Sequence, residues 1–219
     1  PCTIRFLDRA GRPGSVVEPR PALLRRVSAT ENGRFRIEGS GNAVEVAAPN
    51  GIEISVSGGK LIRVDEVPYR GTIRFLPEGA GRMDVVNAVN IESYVAGVLG
   101  GEMPLGFPTE SLRAMAVAIR TYALFRLIER PATRRYDLFA SPAKDQNYEG
   151  ASHENERARR VILDTEGLVL IYNEKVLPAY YHSTCGDRTV GADVGLGEPL
   201  IPPLAGGPCG YCGRSPKYR

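Results

Sequence analysis

Hydrophobic and polar positions alternate in short bursts along the first seventy residues. Thr3 to Leu7, Arg34 to Glu38, Ala43 to Val46, Ile52 to Val56 and Leu61 to Val64 alternate or are β-branched, the pattern of half-buried strands. Turn signals separate them at Gly11-Arg12-Pro13, Glu31-Asn32-Gly33, Gly39-Ser40-Gly41, Asn50-Gly51 and Gly58-Gly59. A hairpin follows, Thr72 to Leu76 and Met83 to Asn87, turning over Pro77 to Gly81. The period then becomes helical. Asn90 is a good N-cap for Ile91 to Val98, which Gly100-Gly101 should stop. Pro108-Thr109-Glu110 opens a long helix to about Arg130, ended by Pro131. Its Leu112, Met115, Ala116, Ile119, Tyr122, Ala123 and Leu127 follow the 3.6 period, which makes it the central core helix. A third helix runs from about Glu154 to Thr165, with Gly167 just past its end. A second hairpin, Leu168 to Tyr172 and Val176 to His182, turns near Asn173-Glu174.

The expected fold class is therefore α+β: a few helices packed on antiparallel hairpins, preceded by a β-rich N-terminal module. Residues 1–68 form that module, structural or glycan-binding, and residues 69–219 the core. The last thirty-five residues are rich in Gly and Pro and need something besides apolar burial to hold them.

Composition narrows the function. Hydrophobic residues at 42% and charged residues at 24% are ordinary globular usage, which excludes wholesale disorder. Lys+Arg at 28 against Asp+Glu at 25 leaves +3, too balanced for a dedicated nucleic-acid binder. No run approaches the ~18 apolar residues that span a bilayer. The stretch opens at Pro1 without a charged-then-apolar leader, so it reads as a processed or trimmed form, and any membrane attachment is expected through a segment outside it.

Four Cys and two His are few enough that clustering is informative. His182-x-x-Cys185 and Cys209-x-x-Cys212 form two spaced pairs joined by a loop, the outline of a closed tetrahedral zinc site. Such a zinc would be structural, because no coordination position remains for water or substrate. The alternative is a disulfide from Cys185 to Cys209 or Cys212, with the other cysteine free or joined to Cys2.

Glu102 lies in an apolar, glycine-rich connection, Val98 to Pro108. It reads first as a solvated loop glutamate, or more sharply as a general acid whose pKa those surroundings raise. Asp145-Gln146-Asn147-Tyr148-Glu149-Gly150 has the amide, phenol and carboxylate mix that suits sugars, though it fits a turn equally. Asp137, Asp145 and Glu149 are candidates for a second carboxylate. Arg113 and Arg120 share one face of the long helix, where ordinary ion pairs would employ both. No nucleophile elbow or phosphate-binding glycine motif occurs.

Several runs carry a more specific signal. Asn90 to Val98, Gly101-Glu102-Met103-Pro104, Glu110 to Ala123, Asp145 to Gly150, Thr165-Glu166-Gly167 and Tyr181-His182-Ser183-Thr184-Cys185-Gly186 resemble, in order, the stage II sporulation protein D (SpoIID) family with its LytB-type amidase enhancers. The likeness spans roughly Tyr69 to Tyr218. It implies an exported, extracytoplasmic protein of the cell envelope that acts on peptidoglycan glycan strands, with a cell-wall amidase as a further partner. It implies a lytic transglycosylase cleaving between N-acetylmuramic acid and N-acetylglucosamine to 1,6-anhydro products, with Glu102 as sole general acid/base. It places Arg120, Thr121, Gln146, Tyr148 and Ser183 around the groove. The alternative within the likeness is a non-catalytic glycan-binding enhancer of an amidase.

Overall fold

The computed structural model describes residues 2–17, 24–40 and 42–215. Gly41 of one expected turn, and Pro216 to Tyr218 at the end of the family likeness, lie outside the described residues. In chain order the strands are β1 (Cys2–Leu7), β2 (Pro13–Val16), β3 (Leu24–Ala29), β4 (Arg34–Gly39), β5 (Val44–Ala47), β6 (Ile52–Val56), β7 (Ile62–Val64), β8 (Val67–Tyr69), β9 (Thr72–Gly79) and β10 (Arg82–Ala88). The helices α1 (Ile91–Glu102), α2 (Thr109–Glu129) and α3 (Glu156–Asp164) follow. The chain closes with β11 (Ile171–Tyr172), β12 (Lys175–Val176), β13 (Arg188–Thr189), α4 (Ala192–Leu196) and β14 (Gly207–Pro208). The fold is α+β, as the periodicity predicts.

A five-stranded antiparallel sheet has the order β10-β9-β6-β1-β2, and a second sheet is β3-β4-β5. Register aligns Ile4 with Ile54 and Ile54 with Ile73, while Ile52 faces both Phe6 and Phe75. That apolar face shares one core with Phe35, Ile37 and Val46 of the second sheet. On the opposite face Glu53 stands across from Arg74, and the two pair at 2.8 Å. Because β9 pairs with β6, this sheet runs across residues 68 and 69, where the sequence suggests a module boundary. The patterning misses β2, since Pro13 and Gly14 read as a turn. The sheet tolerates them there because β2 is an edge strand, whose N–H groups need no ladder partner.

The helical half has its own core. Val95, Val98 and Leu99 of α1 meet Leu112, Ala116, Ile119 and Ala123 of α2 and Val161 and Ile162 of α3. Asn90 caps α1, its side chain accepting the Glu92 N–H at 2.8 Å, and Asn155 caps α3 through the Ala158 N–H at 2.9 Å. The second hairpin is shorter than expected. Asn173 and Glu174 turn it with φ of 48° and 61°, the left-handed pair of a type I′ turn. Just before β11, the Leu170 N–H goes to Thr121 Oγ1 at 3.0 Å and the Leu168 carbonyl accepts from Arg120 at 3.1 Å. Side chains of α2 thus take backbone groups that a longer ladder would need. Among the described residues no helix is long and apolar enough to cross a membrane.

Candidate active site

Three glycines shape the site. The sequence suggests that Gly100-Gly101 ends α1, yet the helix continues through both to Glu102. A Cβ on Gly97 would lie 2.3 Å from the Gly150 oxygen, one on Gly100 2.3 Å from the His153 Cβ, and one on Gly101 2.6 Å from the Asn147 oxygen. Each glycine weakens a helix by about 1 kcal/mol relative to alanine. Here only a hydrogen fits beneath the loop 146–153 that lies on this face, so close packing decides the residue type.

Glu102 is consequently the last residue of α1, half-buried, and not a loop residue. A carboxylate at a helix C-terminus opposes the macrodipole, and the last turn holds no basic residue. Donors from elsewhere hold it instead. The Asn147 N–H donates to Glu102 Oε1 at 2.7 Å, and the Tyr181 hydroxyl lies beside the carboxylate. Burial first, then the charge of Glu102 against the counteracting Gln146 amide, pushes the Tyr181 phenol well above its ordinary value. The surroundings of Glu102 are thus polar donors, where the sequence suggests an apolar connection. An acid placed against its helix dipole and gripped by two polar groups is a feature that stability alone does not favour.

Behind Glu102 stands a buried amide. Gln146 is 0% exposed. Its Oε1 accepts from the Tyr94 hydroxyl at 3.0 Å, and its Nε2 donates to the Tyr181 hydroxyl at 2.9 Å. Tyr148 stacks at 5.0 Å from Tyr94 and donates to Asn87 Oδ1 at 2.6 Å. Thr121, fully buried, gives its hydroxyl to Val117 O and accepts the Leu170 N–H. Arg120 is buried as well, bonding Glu92 through Nε at 2.9 Å and NH2 at 2.5 Å. Of the five residues expected to line a groove, only Ser183 is exposed. Arg120, Thr121, Gln146 and Tyr148 face inward, because a guanidinium, hydroxyl or amide at these packed positions must find protein partners. Gln146 reaches Glu102 through Tyr181; Arg120 and Thr121 fasten α2 to the irregular segment 168–170 that leads into β11.

The candidate second carboxylates are all engaged. Asp145, with a fully buried side chain, ion-pairs with Arg126 at 3.0 Å and accepts from the Tyr122 hydroxyl and the Phe139 N–H. Asp137 pairs with Arg130 at 2.8 Å. Glu149 bonds His153 and, at 3.1 Å, Asn147. Arg113, as expected of an ion-pair residue, holds Asp164 at 2.6 Å. Sequence reasoning does not single out Asn147 or Tyr181. Each sits inside a run carrying the family likeness, but nothing local links them to Glu102, which is 45 residues from Asn147.

At the tail, pairing of β13 with β14 brings Cys185, Cys209 and Cys212 together. Their sulfurs lie within 4.8 Å of one another, and all four cysteines of the chain are free thiols. Cys209 and Cys212 sulfurs are 3.8 Å apart, near the edge of about 3.8 Å that tetrahedral zinc with Zn–S near 2.3 Å requires, whereas Cys185 and Cys212 sulfurs, at 3.0 Å, are closer than that edge. The Cys185 N–H also donates to Cys212 Sγ at 3.3 Å. Three thiols so placed could hold a metal ion. His182, expected as the fourth ligand, is not in the group. Cys185 enters the turn that leads into β13, whereas His182 stays exposed on the irregular segment before it.

The site is thus a half-buried carboxylate gripped by donors at a helix end, in an α+β core. Comparison with known proteins points the same way: residues 79–172 match the SpoIID family model, described as Stage II sporulation protein. The chain is similar to an uncharacterized protein of Brachyspira hyodysenteriae, 34% identical over 140 residues, which are 64% of this chain and 37% of the relative. Stage II sporulation protein D of Bacillus subtilis is 28% identical over 147 residues, 61% of this chain and 43% of that protein. An amidase enhancer of Bacillus subtilis is 32% identical over 150 residues, 68% of this chain and 19% of that protein. The chain therefore spans less than half the length of these relatives.

Proposed function

We propose that the chain is an extracytoplasmic peptidoglycan lytic transglycosylase that uses Glu102 as its single acid/base. The observation that carries this reading is Glu102 at the end of α1, held by the Asn147 N–H and Tyr181, while Asp137, Asp145 and Glu149 are each engaged by other side chains. Glycosidases that use water need two carboxyl groups flanking the bond. A transglycosylase needs one. Protonated Glu102 gives its proton to the glycosidic oxygen as the bond to the anomeric carbon breaks. The carboxylate then accepts the proton of the muramoyl 6-hydroxyl as that oxygen closes the 1,6-anhydro ring, which returns Glu102 to its starting form. The Asn147 N–H steadies the carboxylate between the two transfers, and Gln146 orients Tyr181 next to it.

The thiols of Cys185, Cys209 and Cys212 are the residues that would hold a structural zinc. The ion would tie the Gly- and Pro-rich tail to β13 and supply no acid/base chemistry. The experiment on the main reading incubates peptide-free glycan with the wild type and with Glu102→Gln and measures anhydromuramoyl ends by mass spectrometry. Product from the wild type alone is expected. Reducing ends in place of anhydro ends would mean a hydrolase and turn attention to Glu149. The likeness to an amidase enhancer favours a second reading, in which the chain binds glycan and stimulates a cell-wall amidase. Amidase stimulation that survives Glu102→Gln, with no anhydro product from the wild type, would establish it.

A further inference from the structure

His153 and Glu149 have no role in the chemistry above, yet they complete the fastening of the last turn of α1. The His153 Cβ lies against Gly100, so closely that an added methyl there would meet it at 2.3 Å. Its Nε2 bonds Glu149 Oε2. Glu149 Oε1 accepts one hydrogen of the Asn147 side-chain amide at 3.1 Å, and the Gly101 carbonyl accepts the other at 3.1 Å. The backbone N–H of the same Asn147 donates to Glu102 Oε1. An amide with both hydrogens committed has a single orientation. The loop is thus fixed on the helix at Gly100, Gly101 and Glu102 in turn.

We propose that Glu149 and His153 are positioning residues for Glu102: through Asn147 they aim the N–H that holds the Glu102 carboxylate. This rests on the reading of Glu102 as acid/base. Without Glu149 the Asn147 side chain keeps one partner and its peptide is free to tilt, and hydrogen bonds weaken steeply as they bend. His153 limits Glu149 in turn, since it occupies the second carboxylate oxygen. Both side chains are about two-fifths exposed, so their pairing adds little to overall stability. Its effect falls on the geometry of Glu102.

The test uses Glu149→Ala, His153→Ala and His153→Gln. Glutamine places an amide nitrogen where the ring Nε2 stood, so it should restore what alanine removes. Both alanine variants are expected to lower kcat by about tenfold with KM little changed, below the ~10²-fold that a 1 Å misplacement costs. A second readout does not depend on catalysis. The Asn147 backbone amide, followed by proton–nitrogen NMR, should lose exchange protection by about tenfold in both alanine variants and regain it in His153→Gln, as weaker hydrogen bonding exposes it. An Asn147 amide unchanged in both alanine variants overturns the proposal, whatever the activity. Equal loss of kcat in His153→Gln and His153→Ala also overturns it. A wild type that releases no anhydro product sinks the transglycosylase reading alone, since the amide measurement still decides the positioning.

Discussion

Replacing Arg120 by methionine separates a structural arginine from a substrate-binding one. The side chain is 3% exposed and its partner Glu92 19% exposed. Arg120 makes two bonds to the Glu92 carboxylate and one to the Leu168 carbonyl. Methionine fills most of the volume but leaves Glu92 with only the Gly167 N–H at 3.2 Å among these donors. Removing one partner of a buried pair costs about 3–5 kcal/mol, because the other charge stays buried without compensation. For a chain of this size each kcal/mol lowers the thermal midpoint by about 2–4 °C, so the melt should fall by roughly 6–20 °C. Urea denaturation should show the same loss at constant m. The double variant Glu92→Gln with Arg120→Met removes the stranded charge and should recover at least ~1 kcal/mol, a coupling in the usual range for contacting residues. Stability within ~1 kcal/mol of wild type, combined with a tenfold loss of glycan affinity, would refute the structural role and return Arg120 to the substrate.

Other outcomes follow from the same geometry. Gly100→Ala drives a methyl into the His153 Cβ and should cost about 1–3 kcal/mol, the usual range for overpacking; an unchanged urea midpoint contradicts the close approach of loop and helix. Elemental analysis should find one zinc per chain, and a chelator should increase proteolysis after His182 before the helical core loses its circular dichroism signal. Metal-free protein whose thiols react fully without any change in the tail would exclude the structural ion. Hydrogen bonds from His153 first, then from Asn147, hold the Glu149 carboxyl below its ordinary value. A depressed acid stabilises the fold above its unfolded pKa and loses that contribution as pH falls through the folded pKa. The stability gap between wild type and Glu149→Gln should therefore be full at neutral pH and close in strong acid; a gap of constant size down to pH ~2 contradicts the hydrogen bonds.

Much of the architecture is a local matter, and local signals reveal it. Alternation in Ile52 to Val56, the cap at Asn90, the 3.6 period of Leu112, Ala116, Ile119 and Ala123, and the turn at Asn173-Glu174 each depend on residues within a turn or two. They give the α+β class, the three main helices and the position of Glu102 beside Met103-Pro104. The cysteine spacing likewise points to three sulfurs that meet.

Packing over long sequence separations decides the remainder. Gly100 and Gly101 look like a stop, since in isolation glycine weakens a helix; against the loop 146–153 they are the residues that let the helix continue. Arg120, Thr121, Gln146 and Tyr148, which the family likeness puts around a groove, are each buried and paired, by partners such as Glu92, Leu170, Tyr181 and Asn87. His182 stands at metal-ligand spacing, yet it stays outside the thiol cluster that the β13–β14 pairing assembles. Spacing along a chain fixes which residues are near neighbours. Which way a polar side chain turns depends on whether burial supplies it with a partner, and for Glu102 that partner comes from a loop more than forty residues away.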